Sequence, residues 1–210
     1  MIRVDCQQGT EEWMALRRGV VSASRFAKFV TPKTLKLSTS QTATTARMKL
    51  LAEWLCGKSD DEYVSDWMSR GFMLQPEAID WYEMQMDSTV DQSAGFIYLD
   101  DERLVGCSPD GLIGDDGGIE VKCPSGGVHM AFLLDPQVPD EYVPQVQGCM
   151  WVTGRKWWDF VSYHPDMPSA RVRVERDEAY VEGLANGINA VVEMMKMERQ
   201  ALLDKGYQPV

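Results

Sequence analysis

The stretch that decides the fold runs from Cys107 to Pro124. It reads Cys107-Ser-Pro-Asp-Gly-Leu112, then the turn signal Asp115-Asp-Gly-Gly118, then Ile119-Glu-Val-Lys-Cys-Pro124. Asp110 falls at the turn after a short β-type run, Leu104-Val-Gly-Cys107. Glu120 and Lys122 lie two apart on the next run, and a strand's period of two puts both on one face. A hairpin through Asp115-Asp-Gly-Gly118 brings the end of the first run beside the second, so Asp110, Glu120 and Lys122 can converge. Two carboxylates suit Mg²⁺ or Mn²⁺, which prefer hard oxygen donors, and the Val121 carbonyl is a plausible further ligand. A lysine beside such a site can orient or activate an attacking water and offset phosphate charge. Each piece also has an ordinary reading: Ser-Pro-Asp-Gly is a favourable β-turn, and Glu-Val-Lys is common alternation on an exposed strand. Their coincidence beside a turn and ahead of a helix favours chemistry.

Working outward, further β-type runs occur at Phe96-Ile-Tyr-Leu99, residues 157–163 and residues 170–175. Thr10 followed by Glu11 and Glu12 predicts a capped helix through Trp13, Leu16 and Arg17. Ser22 or Ser24 can cap a second helix carrying Phe26 and Phe29. Residues 31–45, rich in Thr, Ser and Lys, read as a mobile loop. A helix with Met48, Leu51 and Leu55 follows, then another over residues 67–86 that Gly71 and Pro76 interrupt. Residues 139–153 read as a helix only if Pro144 lies in its first turn. From about Asp177, Val181, Leu184, Ile188, Val191 and Met195 recur at helical spacing. The order is helices, three strands, helix, two strands, helix. That predicts an α/β or α+β fold with a mixed sheet flanked by helices, and residues 1–210 read as a single domain.

The formal charge of −11 argues against a nucleic-acid partner, but it is unevenly placed. Residues 1–60 hold ten basic against five acidic side chains, whereas the remaining 150 hold eleven against twenty-seven. Between residues 13 and 52 there are eight basic side chains and no acid. Such a basic, helical N-terminal part can hold phosphates while the rest stays acidic; a solvated charged face is the plain alternative. No apolar run approaches the roughly 20 residues of a membrane helix, so no membrane association is expected. Five scattered cysteines without a C-x-x-C pair suit the reducing cytoplasm and give no zinc or iron–sulfur pattern. With only His129 and His164 and no P-loop, histidine-based hydrolysis and ATP-driven work have little support.

Five motifs in order then give the chain a family likeness. Trp13-Met-Ala-Leu-Arg-Arg-Gly-Val-Val-Ser-Ala-Ser24 comes first, followed by Gly71 through Gln75-Pro-Glu-Ala78. Cys-Ser-Pro-Asp110-Gly-Leu, Ile-Glu120-Val-Lys122-Cys-Pro and Tyr142-Val-Pro-Gln145 running on to Met150-Trp-Val-Thr153 complete the set. Over roughly residues 10–180 the chain resembles the lambda-exonuclease-like (phage alkaline exonuclease, viral recombinase) branch of the PD-(D/E)XK nucleases. The resemblance implies a restriction-endonuclease-like central mixed sheet flanked by helices. It implies 5′→3′ digestion of one strand of linear duplex DNA, using two Mg²⁺ ions with Mn²⁺ as a substitute, and a phage or prophage setting in a bacterial host. A homotrimer and a single-strand annealing protein as partner are implied as well. By the same likeness Asp110 and Glu120 are metal carboxylates and Lys122 is the catalytic lysine. Arg17 and Ser24 fall where the family holds the 5′-phosphate, and Tyr142 and Gln145 share a helix face directed at the metal centre. In one place the chain departs from the pattern. Gln75 stands where the family usually has Glu, and Glu77 cannot take its place, since two residues round a helix is about 200°. Asp100 is a further carboxylate that a strand could bring near. Two rival readings stay open: an endonuclease of the same fold, and a non-catalytic module that binds DNA ends.

Overall fold

The turn chemistry around Asp115 produces a hairpin, with its glycines put to a different use than expected. In the computed structural model, which describes residues 1–59 and 66–209 with side chains of the second stretch from Ser69 onward, the turn residues are Gly114, Asp115 and Asp116. Gly114 takes the positive φ of 50°. Gly117 and Gly118 already belong to the following strand, where the indoles of Trp157 and Trp158 lie so close that a Cβ at either glycine would collide with them. The Arg155 guanidinium braces the turn by donating to the carbonyls of Ile113, Gly114 and Gly117.

In chain order the elements are β1 (Ile2–Asp5), α1 (Glu11–Leu16), β2 (Val21–Ser22), a 3₁₀ turn (Ala23–Arg25), α2 (Phe26–Phe29), α3 (Gln41–Cys56) and α4 (Asp66–Met86). Then come β3 (Val90–Asp91), β4 (Ala94–Tyr98), β5 (Val105–Cys107), β6 (Gly111–Ile113), β7 (Gly117–Lys122), α5 (Gly126–Leu134), α6 (Val143–Thr153), β8 (Trp157–Ser162), β9 (Ala170–Glu175) and α7 (Glu178–Asp204). The α/β class with mixed sheets and flanking helices is as expected, but the strands divide into two sheets, ordered β1-β4-β5-β2 and β3-β6-β7-β8-β9. This corrects the pairing read from sequence. β7 pairs antiparallel with β6, Gly111 opposite Ile119, whereas β5 pairs with β4 in the other sheet. Asp110 therefore sits where the chain crosses from one sheet to the other.

The two faces of the five-stranded sheet are covered differently. Ile119, Val121 and Val161 turn toward α4, packing with Ala78, Ile79 and Tyr82. Trp158 and Phe160, on the other face of β8, join the main core with Phe26, Met150, Leu184 and Ile188. α6 packs against both β5 and β8, so it lies between the sheets. α7 buries the expected stripe of Val181, Leu184, Ile188, Val191 and Met195, with Val192 added.

Several local expectations are met and several are corrected. The Thr10 side chain caps α1 by accepting from the Trp13 N–H, and Pro144 lies in the first turn of α6. The two interruptions expected in α4 do not occur: it runs unbroken through Gly71 and Pro76. An internal proline costs about 3 kcal/mol, and burying Ile79 and Tyr82 against the sheet returns about 1.5–3 kcal/mol each. The Trp67 side chain lies outside the described residues. The expected loop ends at Ser40, whose hydroxyl accepts from the Ala43 N–H and starts α3. Residues 30–38 are tied by a Val30–Leu37 bridge and a Ser38 N–H bond to the Phe29 carbonyl. Neither Ser22 nor Ser24 makes a side-chain cap there; their hydroxyls bond each other.

Candidate active site

β7 carries the centre of the site. Alternation sends Ile119 and Val121 under α4 and turns Glu120 and Lys122 to the opposite face, where α6 supplies Gln145 and Tyr142. The Lys122 ammonium donates to Glu120 Oε1 at 2.6 Å, and Gln145 Nε2 donates to the same oxygen at 2.6 Å. Lys122 also reaches Gln145 Oε1 at 3.5 Å and lies 4.6 Å from the centre of the Tyr142 ring. Asp110 joins from the crossover, where its Oδ2 accepts the Val121 N–H at 2.7 Å and its Oδ1 accepts from Gln75 Nε2 at 3.3 Å.

Charge is poorly balanced here. Burial, then the charge of Glu120, pushes the Asp110 carboxyl up to about 8, against the opposing pull of Lys122 and the Val121 N–H. Burial acts to lower the Lys122 ammonium, but Glu120 and Asp110 outweigh it and hold Lys122 above its ordinary value. Glu120 is almost wholly buried, and among the described residues its Oε2 has no hydrogen-bond partner. A buried acceptor left without a partner costs about 1–3 kcal/mol. A hard divalent cation removes that cost, and the donors around it suit one. A strand residue's N–H and C=O point to the same side. The Val121 carbonyl therefore points past the end of β6, where its N–H meets Asp110. Gln75 adds an amide oxygen once its amide is rotated. Among the described residues no three His, Cys, Asp or Glu side chains gather as a ligand set, so Asp110 and Glu120 would hold a metal with the Val121 carbonyl and the Gln75 amide. Cys123 stands apart from this donor set, packed with Ile119, Val121 and Val161 on the α4 face of the sheet.

A second cluster adjoins the first through the 108–110 turn. Arg17 donates to Ser108 Oγ at 2.9 Å and to Ser24 Oγ at 3.4 Å, and its guanidinium lies 4.2 Å from the centre of the Trp13 ring. Trp13 Nε1 also donates to Ser108, and Gln8 holds the Pro109 carbonyl. Among the described residues Arg17 has no carboxylate partner. Burial first, then the charge of Arg25, lowers it to about 10. A half-buried cation ringed by hydroxyls and lacking a counter-ion is suited to an anion.

The structure thus brings Asp110, Glu120, Val121, Lys122, Gln145, Tyr142 and Gln75 together, and Arg17 with Ser24 one turn away. Tyr142 touches Lys122 and Phe160, which puts it at the lysine end of the site. Asp100 is not part of it: it caps the far turn between β4 and β5 by accepting the Glu102 N–H. Glu77 accepts from the Tyr163 hydroxyl instead of facing Asp110. His129 is a satisfied core residue, bonded to Ser162 and the Pro168 carbonyl. Sequence reading missed Ser108, Gln8 and the polar role of Trp13. Ser108 could have been found by its place two residues before Asp110, whereas Gln8 carried no signal.

Known proteins share this fold. Residues 12–156 match the YqaJ-like viral recombinase domain. The alkaline exonuclease LHK-Exo from Laribacter hongkongensis is 31% identical over 94% of this chain and 98% of its own, with a TM-score of 0.84. Its structure in complex with dAMP gives 32% identity, coverage of 94% and 98%, and a TM-score of 0.83. A phage-related exonuclease from Haemophilus somnus 129PT, 15% identical over 89% of this chain and 96% of its own, shares the fold at a TM-score of 0.69. A search of curated protein sequences gives no match. With its family domain spanning most of its length and a solved relative aligned almost end to end, the chain belongs to the YqaJ-like viral recombinase family.

Proposed function

We propose that the protein is a Mg²⁺-dependent 5′→3′ exodeoxyribonuclease, its 210 residues forming one nuclease domain. It digests one strand of linear duplex DNA, leaves a 3′ single strand and releases 5′-mononucleotides. The observation that carries this reading is the orphaned, buried Glu120 Oε2 in a site that also holds Asp110 and a charged lysine. When bound, a divalent cation supplies positive charge against the scissile phosphate and acidifies water. Lys122, kept protonated by its carboxylate neighbours, can donate to the phosphate or orient the attacking water. Gln145 fixes both Glu120 and Lys122, and the Tyr142 ring covers the lysine. The relative solved with dAMP supports a deoxynucleotide substrate.

Direction comes from the Arg17 cluster. Its guanidinium, with the Ser24 and Ser108 hydroxyls, fits a terminal 5′-phosphate next to the metal centre, and the acid-free segment 13–52 offsets the chain's net charge of −11 locally. The homotrimer, the annealing-protein partner and action in the host cytoplasm during phage-type recombination belong to the same proposal. Among the described residues no helix is long and apolar enough to cross a membrane. Arg17→Ala tests the assignment. Losing a charge-assisted contact of about 1.5–3 kcal/mol should slow digestion of 5′-phosphorylated duplex by about one to two decades. Digestion of 5′-hydroxyl duplex should change little, and circular DNA should be resistant throughout. Equal slowing on both ends would make Arg17 a general backbone contact, and cleavage of circles would make the protein an endonuclease.

A further inference from the structure

Next to the Arg17 cluster lies a cavity of about 350 Å³ between the 3₁₀ turn, α2 and α3, within the range of small ligand sites. Arg25, Lys28 and Lys49 line it, with the hydroxyls of Thr42 and Thr45 from the first turns of α3. Glu53 is the one acid among the described residues of the lining, and it is already engaged. It accepts from the Gly19 N–H at 3.0 Å and the Ser59 hydroxyl at 3.0 Å, and it meets Arg25 at 3.6 Å. Lys28 is exposed and has no ion pair among the described residues. Among the described residues the lining is therefore cationic through Arg25 and Lys28, with the Thr42 and Thr45 hydroxyls at the start of α3 beside them, which suits a phosphate-bearing anion.

Its place relative to the catalytic residues says which phosphate. Two residues before Asp110 in the chain, Ser108 meets one nitrogen of Arg17, and the other nitrogen of Arg17 meets Ser24. Arg25, the next residue in the 3₁₀ turn, faces the cavity. The following step rests on the reading of Arg17 as the holder of the terminal 5′-phosphate. The digested strand then ends at Arg17, and backbone reaching beyond Ser24 belongs to the complementary strand. We propose that the Arg25–Lys28–Lys49 cavity grips a phosphodiester of the undigested strand just past the duplex end, so that the enzyme stays attached to its 3′ single-stranded product.

Anisotropy with labelled duplexes in EDTA tests this on intact substrate. The wild-type protein should bind a 5′-phosphorylated end recessed behind a short 3′ overhang about five- to tenfold tighter than a blunt end, with a salt slope steeper by about 0.7 per phosphate held. Lys28→Glu should abolish that gain and Lys28→Arg should keep it. Neutral methylphosphonate linkages in the overhang should abolish it for the wild-type protein and add nothing to Lys28→Glu. That arm needs no variant to fold. Survival of the gain in Lys28→Glu or with methylphosphonates overturns the proposal. So does equal weakening on blunt and recessed ends, which would make Lys28 a general duplex contact, or loss of the gain to millimolar inorganic phosphate, which would make the cavity a free-anion site. The underlying reading fails separately: if Arg17→Ala leaves the 5′-phosphate dependence of binding intact, the strand assignment falls even where the overhang gain stands.

Discussion

Two buried acids on neighbouring strands have opposite surroundings. Asp159 of β8 lies opposite Ile119 of β7, one residue before Glu120 in register, but it points to the α4 side of the sheet. Both its oxygens are occupied: Arg171 and Arg173 donate to Oδ1 at 3.0 and 2.9 Å, Arg173 and the Tyr82 hydroxyl to Oδ2 at 2.9 and 2.6 Å. Glu120 shares one oxygen between Lys122 and Gln145 and leaves the other bare. A carboxylate with every lone pair answered ties elements together. One left half-answered stores the capacity to bind something that is not part of the chain. The same sheet therefore separates a fully satisfied acid from a half-satisfied one by face.

The comparison breaks most sharply in activity. Glu120→Gln keeps the shape and removes the charge, so cleavage in Mg²⁺ should fall by about a thousandfold, in the range of a lost catalytic group. Its unfolding free energy should move by less than about 1 kcal/mol, since the amide oxygen can still accept from Lys122 and Gln145 while the unanswered charge at Oε2 is removed. Urea titration beside a cleavage assay gives both numbers. Retained cleavage would remove Glu120 from the site, and a large stability loss would make it a second Asp159.

Asp159→Asn should do the reverse. Two guanidiniums lose their partner, but both reach solvent, so the cost should be about 2–3 kcal/mol, below that of breaking a fully enclosed pair. Cleavage per folded molecule should hardly change. The pH dependence carries a sign. Burial acts to raise the Asp159 carboxyl, but Arg173, Tyr82 and Arg171 outweigh it and hold it below its ordinary value. A lowered folded value stabilises the protein above the unfolded value near 4, and that contribution fades as pH falls through the folded one. The stability gap between the wild-type protein and Asp159→Asn should thus be constant near neutrality and close below about pH 4. A gap that persisted in acid would mean that packing, not charge, holds the network.

Much of this was readable in the chain because short-range rules governed it. Glu120 and Lys122 share a face by strand period, Asp110 follows a turn, and α7 shows its stripe at helical spacing. What failed depended on partners distant in sequence. Gly117 and Gly118 look like turn residues, but they serve Trp157 and Trp158 forty positions on. Pro76 signals a break that packing against Val121 and Val161 overrides. The second sheet was illegible because β1 has four residues and β2 two, too short for any period to register. Ser108 was passed over as turn chemistry, and the approach of Trp13 and Arg17 from far upstream gives it a polar role.

The smallest effect concerns Gln75, and it tests how far the bare Glu120 oxygen determines metal affinity. In the free protein the Gln75 amide neutralises nothing; it donates a 3.3 Å hydrogen bond to an Asp110 already short of positive charge. Gln75→Glu would replace that donor with a third carboxylate. Without metal, repulsion from Asp110 and Glu120 should lower stability by about 1 kcal/mol. With Mg²⁺ the sign reverses, because a carboxylate is a stronger ligand for a hard cation than an amide oxygen. The half-saturating Mg²⁺ concentration should fall by about three- to tenfold, equivalent to roughly 1 kcal/mol. Calorimetric titration of Mg²⁺ into the protein, with thermal melts in EDTA and in Mg²⁺, measures both halves. A destabilised metal-free protein with unchanged Mg²⁺ affinity would mean that residue 75 sees the carboxylates but not the ion. The site would then bind through Asp110, Glu120 and the Val121 carbonyl alone, leaving Gln75 only the task of orienting Asp110.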